Sequence, residues 1–164
     1  MHWRPFIFLL SGFIIFSGCS RNKIFDKISD LDGRAWPKSR PVIFQFNIRD
    51  THPEYSLEYN IRNSVLYKYY NLYLSYTLED TLGNVLDSAL TSYDLFDAKT
   101  GKPLGDGLGD IFDHEFPVRD HYRFNNPGVY RFIIKQYMRE DTLMEIMSVG
   151  LIVRKSNNGQ TQNN

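Results

Sequence analysis

A single cysteine, Cys19, occurs in 164 residues, so no intrachain disulfide can brace the fold and no multi-cysteine zinc or redox pattern exists. A surplus of charge is also missing. Nineteen basic residues face nineteen acidic ones, which leaves no basic field for nucleic acid. No apolar run approaches the roughly 20 residues that cross a bilayer as a helix. There is no Gly-x-Ser-x-Gly elbow for a nucleophilic serine, and Thr100-Gly101-Lys102 is followed by Pro103 instead of the Ser or Thr of a phosphate loop. No pair of carboxylates stands out for glycoside hydrolysis. These absences point away from an enzyme and from a nucleic-acid partner, and no cofactor is expected.

What is present begins with a leader. His2 and Arg4 make a short basic start, and Phe6 to Phe16 is an apolar run of eleven residues interrupted only by Ser11 and Gly12. That length fits a signal-peptide core, not a membrane span. The run ends in Phe16-Ser17-Gly18-Cys19, which resembles a bacterial lipobox, with Phe16 in place of the usual Leu, Val or Ile. Residues 1–18 are therefore expected to be cleaved and Cys19 to carry acyl chains. Each buried methylene contributes ~0.8 kcal/mol, so two or more chains hold a protein stably on a membrane. Removing 18 of the 164 residues leaves 146, a single-domain length whose core must suffice without disulfides. Residues 19–40 read as a lipid-anchored tether, with Trp36-Pro37 docking an indole on the domain's edge. The polar segment 156–164 reads as a disordered tail.

Residues 41–155 are dominated by period-two alternation. Val42, Phe44, Phe46 and Ile48 share one face. Tyr55, Leu57, Tyr59 and Ile61 alternate with Ser56, Glu58, Asn60 and Arg62. Leu72, Leu74, Tyr76 and Leu78 give a third strand, and Val85 to Phe96 a weaker one after the Gly83-Asn84 turn. Asn126-Pro127-Gly128 turns into Val129 to Met138, and Arg139 to Thr142 turns again into Leu143 to Val153. Residues 97–113 are rich in Gly and Asp and read as irregular. With an aromatic content of 15% and no convincing helix, the expectation is all-β: a single β-sandwich of two packed antiparallel sheets, Greek-key or jelly-roll-like.

Several residues invite a functional reading. Tyr67, Tyr69, Tyr70 and Tyr73 are too close to point inward together, because strand side chains alternate between faces. With Arg62 and Asn63 beside them they form a candidate partner-binding set of Arg62, Asn63, Tyr67, Tyr69 and Tyr73; stacking on sugar rings is the alternative. Asp106, Asp110, Asp113, His114, Glu115, Asp120 and His121 hold metal-ligating groups, but their spacing matches neither zinc motifs nor an EF-hand loop, and no metal is assigned. Gly105, Gly107 and Gly109 are expected to serve positive φ or close chain approach. Tyr130 is expected to form a tyrosine corner, and Arg139 a turn salt bridge with Glu140 or Asp141.

Taken together, Trp36-Pro37, Arg62-Asn63 with Tyr67, Tyr69, Asn71-Leu72 and Tyr73, Gly105, Gly107, Gly109-Asp110-Ile111, Pro127-Gly128-Val129-Tyr130, Gln136-Tyr137-Met138-Arg139 and Val149-Gly150-Leu151 resemble the gliding motility lipoprotein GldH family. Leu104 stands where an aromatic is expected. The resemblance implies a cell-envelope lipoprotein needed for gliding, without enzymatic activity, working with other envelope proteins of the gliding or type IX secretion machinery. A glycan-binding envelope module is the alternative. In such envelopes, acidic residues after the lipidated cysteine accompany surface display. Ser20-Arg21-Asn22-Lys23 is basic, so an outer-membrane anchor with the domain facing the periplasm is expected.

Overall fold

A computed structural model describes residues 22–156. The leader, Cys19 and the tail beyond Ser156 lie outside the described residues. In chain order the strands are β1 (Lys23–Asp30), β2 (Ala35–Pro37), β3 (Val42–Ile48), β4 (Tyr55–Ser64), β5 (Asn71–Glu79), β6 (Val85–Asp94), β7 (Asp106–Leu108), β8 (Ile111–Tyr122), β9 (Gly128–Gln136), β10 (Thr142–Met144) and β11 (Ile146–Lys155), with one 3-10 turn at Asp32–Arg34. They form a five-stranded sheet, β1-β11-β4-β8-β7, packed on a four-stranded sheet, β3-β9-β5-β6; β10 and β2 make a small third pair. Every pairing is antiparallel. The chain repeatedly crosses between sheets, as it does from β3 to β4 and from β4 to β5, so the expected sandwich is the fold that forms.

The alternation read from the sequence accounts for the core. Phe44 and Phe46 of β3, Leu57, Tyr59 and Ile61 of β4, Leu72, Leu74 and Leu78 of β5, and Phe132 and Ile134 of β9 point between the sheets and are buried. Phe132 stacks on Tyr76 with centroids 5.1 Å apart and meets Tyr59 edge-on at 6.2 Å, so one ring joins the two sheets. Phe124 sits among Phe46, Tyr55, Tyr122 and Tyr130 at one end of the sandwich. Tyr130 donates its hydroxyl to the Asn126 carbonyl at 2.6 Å, the expected tyrosine corner.

Two segments differ from the sequence reading. The region taken as a tether, 19–40, contributes structure from Lys23 onward. β1 pairs along β11 from Lys23↔Arg154 to Asp30↔Ser148, and Phe25 packs against Phe44 and Phe46 at 6.1 and 5.7 Å. Trp36 is not an edge ornament: it is fully buried, and its indole N–H donates to the Arg40 carbonyl at 3.0 Å. An edge strand has one ladder to satisfy and can carry Asp26, Lys27 and Asp30 toward water, which hides its period. The second difference is in the segment 97–113. Its first part is a loop, but β7 and the start of β8 lie within it, and β8 pairs with β4 from Ser64↔Ile111 to Tyr55↔Tyr122.

The glycine cluster serves close approach at Gly105. A Cβ there would stand 2.5 Å from the Asp113 carbonyl and 2.7 Å from the His114 ring, so only glycine lets this loop lie over β8.

Candidate functional site

The strand directions divide the sandwich into two ends. Loops 49–54, 80–84 and 123–127 cluster at the end where β1 begins and β11 finishes. The β4–β5 corner, the β7–β8 turn and the β9–β10 turn lie at the other. The sequence-derived candidates do not share one surface. Arg62 projects from the outer face of the five-stranded sheet, where its guanidinium grips Asp113 through Nε and Nη2 at 2.8 and 3.0 Å. That pair holds the guanidinium above its ordinary range. Beside it Arg154 reaches Glu58 at 3.0 Å and Glu115 at 3.3 Å.

Asn63 is buried and donates its amide to the Ser64 carbonyl, while Ser64 Oγ accepts the Leu66 N–H. Tyr67 is buried too, and its hydroxyl donates to the Asn71 carbonyl at 3.0 Å; burial pushes that phenol well above the usual tyrosine range. Asn63 and Tyr67 therefore build the β4–β5 corner instead of a contact surface. What the corner delivers outward is Tyr70 and Tyr73, the exposed part of the tyrosine block, with Tyr69 half-buried against the core. Tyr69 lies edge-on to Tyr67 at 5.9 Å, under the Lys68 ammonium, which is 5.3 Å from its centroid.

Tyr69 and Tyr73 meet residues the sequence reading did not place with them. With Leu90, Tyr137, Met138 and Arg139 they line a groove of about 600 Å³ on the outer face of the four-stranded sheet. Tyr73 and Tyr137 are neighbours because the Tyr137 N–H donates to the Tyr73 carbonyl at 2.8 Å. Met138 is the floor: it is buried, and its sulfur accepts the Tyr73 N–H at 3.3 Å. The Gln-x-Met-Arg stretch explains the presentation. The buried Gln136 side chain accepts the Met138 N–H at 2.8 Å and donates to the Glu140 carbonyl at 3.0 Å, curling the backbone so that Tyr137 and Arg139 stand in solvent. Lys68 closes one end through a 2.5 Å pair with Glu140, which lowers that carboxyl's pKa.

The expected turn salt bridge of Arg139 does not form among the described residues: Lys68 holds Glu140, and Arg139 pairs with neither Glu140 nor Asp141. A second hollow of about 710 Å³ continues past Tyr137 to Lys38, Ser75 and Lys135. Among the described residues Lys38, Lys135 and Arg139 form no ion pair.

The acid and histidine stretch does not assemble. Strand alternation along β8 sends Asp113 and Glu115 outward to the two arginines and His114 inward, where it stacks on Phe116 at 5.3 Å. Burial holds the His114 imidazole below its ordinary pKa, against the opposing pull of Asp113 and Asp106. His121 instead meets Glu54 at 2.7 Å, at the far end of the strand. Among the described residues no three His, Cys, Asp or Glu side chains converge as a metal site would require.

What the fold and groove define is a small antiparallel β-sandwich that presents an aromatic-lined surface groove. The family model for the GldH lipoprotein matches residues 23–153, and the chain belongs to that family. It is 31% identical over 160 residues to the gliding motility lipoprotein GldH homolog of Christiangramia forsetii, covering 93% of this chain and 96% of that protein. It is 29% identical over 138 residues to the gliding motility lipoprotein GldH of Flavobacterium johnsoniae, covering 82% and 80%. Membership makes it a lipid-anchored protein of the cell envelope, in a gliding-motility family that is not a known enzyme family.

Among solved structures, it is similar to the VP2 subviral particle of infectious bursal disease virus, with TM-score 0.42 and 14% identity over 83% of this chain and 33% of that one. It is also similar to dimeric latent PorU of Porphyromonas gingivalis, with TM-score 0.30 and 9% identity over 82% and 13%. The chain thus spans about a third of the first and a smaller part of the second. At those scores neither bears on function.

Proposed function

We propose that this protein is an interaction component of the gliding and type IX secretion machinery. Acyl chains on Cys19 hold it at the outer membrane with the sandwich in the periplasm, and the groove between Tyr73 and Tyr137 receives an envelope protein. The observation that carries this reading is the groove itself. Tyr69, Tyr73, Leu90, Tyr137 and Arg139 gather over a buried methionine, and tyrosine and arginine are the residue types that dominate interface hot spots. The unpaired Lys38, Lys135 and Arg139 beside it suit a partner segment with acidic residues flanking an apolar anchor. The basic run after Cys19 supports the periplasmic side, and protease added to intact cells should leave the domain whole.

The test is deletion of the gene followed by scoring of surface spreading and of secretion of a type IX cargo. The reading predicts that gliding is lost and that re-expression restores it. Normal movement and secretion without the protein would overturn it. A second reading, a glycan-binding module, rests on the same three tyrosine rings, which could stack on sugars. Binding on a glycan array that disappears in Tyr73→Ala and Tyr137→Ala would favour that module over a protein partner.

A further inference from the structure

The distance between the acylated cysteine and the first strand fixes which end of the sandwich meets the bilayer. Only Ser20, Arg21 and Asn22 separate Cys19 from Lys23, where β1 begins. Fully extended, those four steps span at most about 14 Å. β1, running Lys23 to Asp30, then carries the chain away from that point. We propose that the end of the sandwich formed by loops 49–54, 80–84 and 123–127 rests on the lipid surface, with the Leu82 loop touching the bilayer, and that the groove is thereby held at the distal end. The proposal rests on acylation of Cys19, as the function proposed above does.

The chemistry of that end suits a lipid surface. Leu82 is 85% exposed at its loop tip, and Val85, Leu86 and Val129 beside it are exposed apolar side chains. Leu82, Leu86 and Val129 border a single shallow hollow with Pro127. Two of the carboxylates there are paired with cations. Asp50 is held by Lys155 at 3.1 Å, and Glu54 by Arg123 at 2.9 Å and His121 at 2.7 Å. Asp80 spends its oxygens on the Leu82 and Asn84 N–H groups and the Asn84 amide. Arg49 makes no ion pair among the described residues. The lipid surface therefore meets exposed leucine and valine among mostly paired charges, with Asp80 and Asp120 the acids at this end that no cation holds among the described residues.

At the other end, Leu108 is 94% exposed on the β7–β8 hairpin. Strands of ten residues at ~3.3 Å per residue separate the two ends by about 33 Å, so a label at each end reads a different depth. Because Cys19 is the chain's sole cysteine, acylation leaves no free thiol. Leu82→Cys and Leu108→Cys each then offer one labelling site on the full lipidated protein. The experiment attaches a fluorophore at each and adds vesicles carrying a headgroup-level lipid quencher. The expected result is loss of most of the emission at position 82 with little change at 108. Membrane-bound protein whose two labels are quenched alike, or more at 108, overturns the orientation while the anchor stands. Protein that fails to fractionate with the vesicles overturns the acylation reading and this proposal with it.

Discussion

Replacing Trp36 by alanine separates a tethered domain from one whose fold begins at β1. Were residues 19–40 a tether with its indole resting on the edge, the substitution would be nearly neutral. Trp36 is instead fully buried, and its indole N–H satisfies the Arg40 carbonyl at 3.0 Å. Truncating a buried tryptophan costs about 3–5 kcal/mol, and stranding a carbonyl adds roughly 1–3 kcal/mol unless water reaches it. The sum, about 4–8 kcal/mol, consumes much of the ~5–15 kcal/mol typical of a domain. At roughly 4 °C per kcal/mol for a domain of this size, Tm should fall by about 16–32 °C. Trp36→Phe keeps most of the volume and loses only the donor, so it should fall by less than half as much. The assay is thermal and urea unfolding of the soluble chain. In a chain that starts at Cys19, Trp36 is the sole tryptophan, so indole emission reports on this position alone. A fall of under ~1 kcal/mol, or native emission at the wavelength of a water-exposed indole, would refute the placement.

Four further outcomes follow from the structure. His114 has a folded-state pKa below its unfolded value, so the unfolded chain takes up its proton first and stability falls as pH drops through about 6.5; His114→Phe should abolish that upper limb of a Tm–pH curve. Asp50, held at about 2 by the His52 N–H and Lys155, should contribute only to a lower limb between pH 4 and 2, and that limb should persist in the His114 variant. Gly105→Ala pushes a methyl against the Asp113 carbonyl and the His114 ring and should destabilise by about 1–3 kcal/mol in denaturant titration, whereas the same change at the fully exposed Leu108 should be neutral within about 0.5 kcal/mol. Tyr130→Phe removes the corner hydrogen bond to Asn126 and should cost about 1 kcal/mol by the same assay, with no effect on folding if the corner is incidental.

How far the sequence foretold this depends on burial. Strands β3, β4, β5 and β9 each bury one face, so alternation wrote them plainly. β8 was hidden because its outward residues, Asp113 and Glu115, are held by arginines on β4 and β11, and its inward ones include a histidine; pairing, not propensity, makes it a strand. β1 was hidden by the charges of an edge. The tyrosine block was legible as partly exposed, and Tyr69 and Tyr73 do line the groove. Arg62 and Asn63 were grouped with them by adjacency in sequence. Yet β4 and β5 belong to different sheets, which sends Arg62 to the opposite outer face. Tyr137, Arg139 and Leu90 were missed because the groove is assembled across β5, β6 and β9. One signal was available: in Gln136-Tyr137-Met138-Arg139, Tyr137 and Arg139 alternate with Gln136 and Met138, as an outward-facing pair would.

The central claim, that the groove is where this lipoprotein engages the gliding machinery, is met most directly by a cell expressing Tyr73→Ala/Tyr137→Ala as its sole copy. Both side chains are solvent-facing, at 41% and 63% exposure, so membrane level and Tm should match wild type while spreading on a surface is lost. Wild-type spreading by cells holding a normal amount of the double variant would contradict the account.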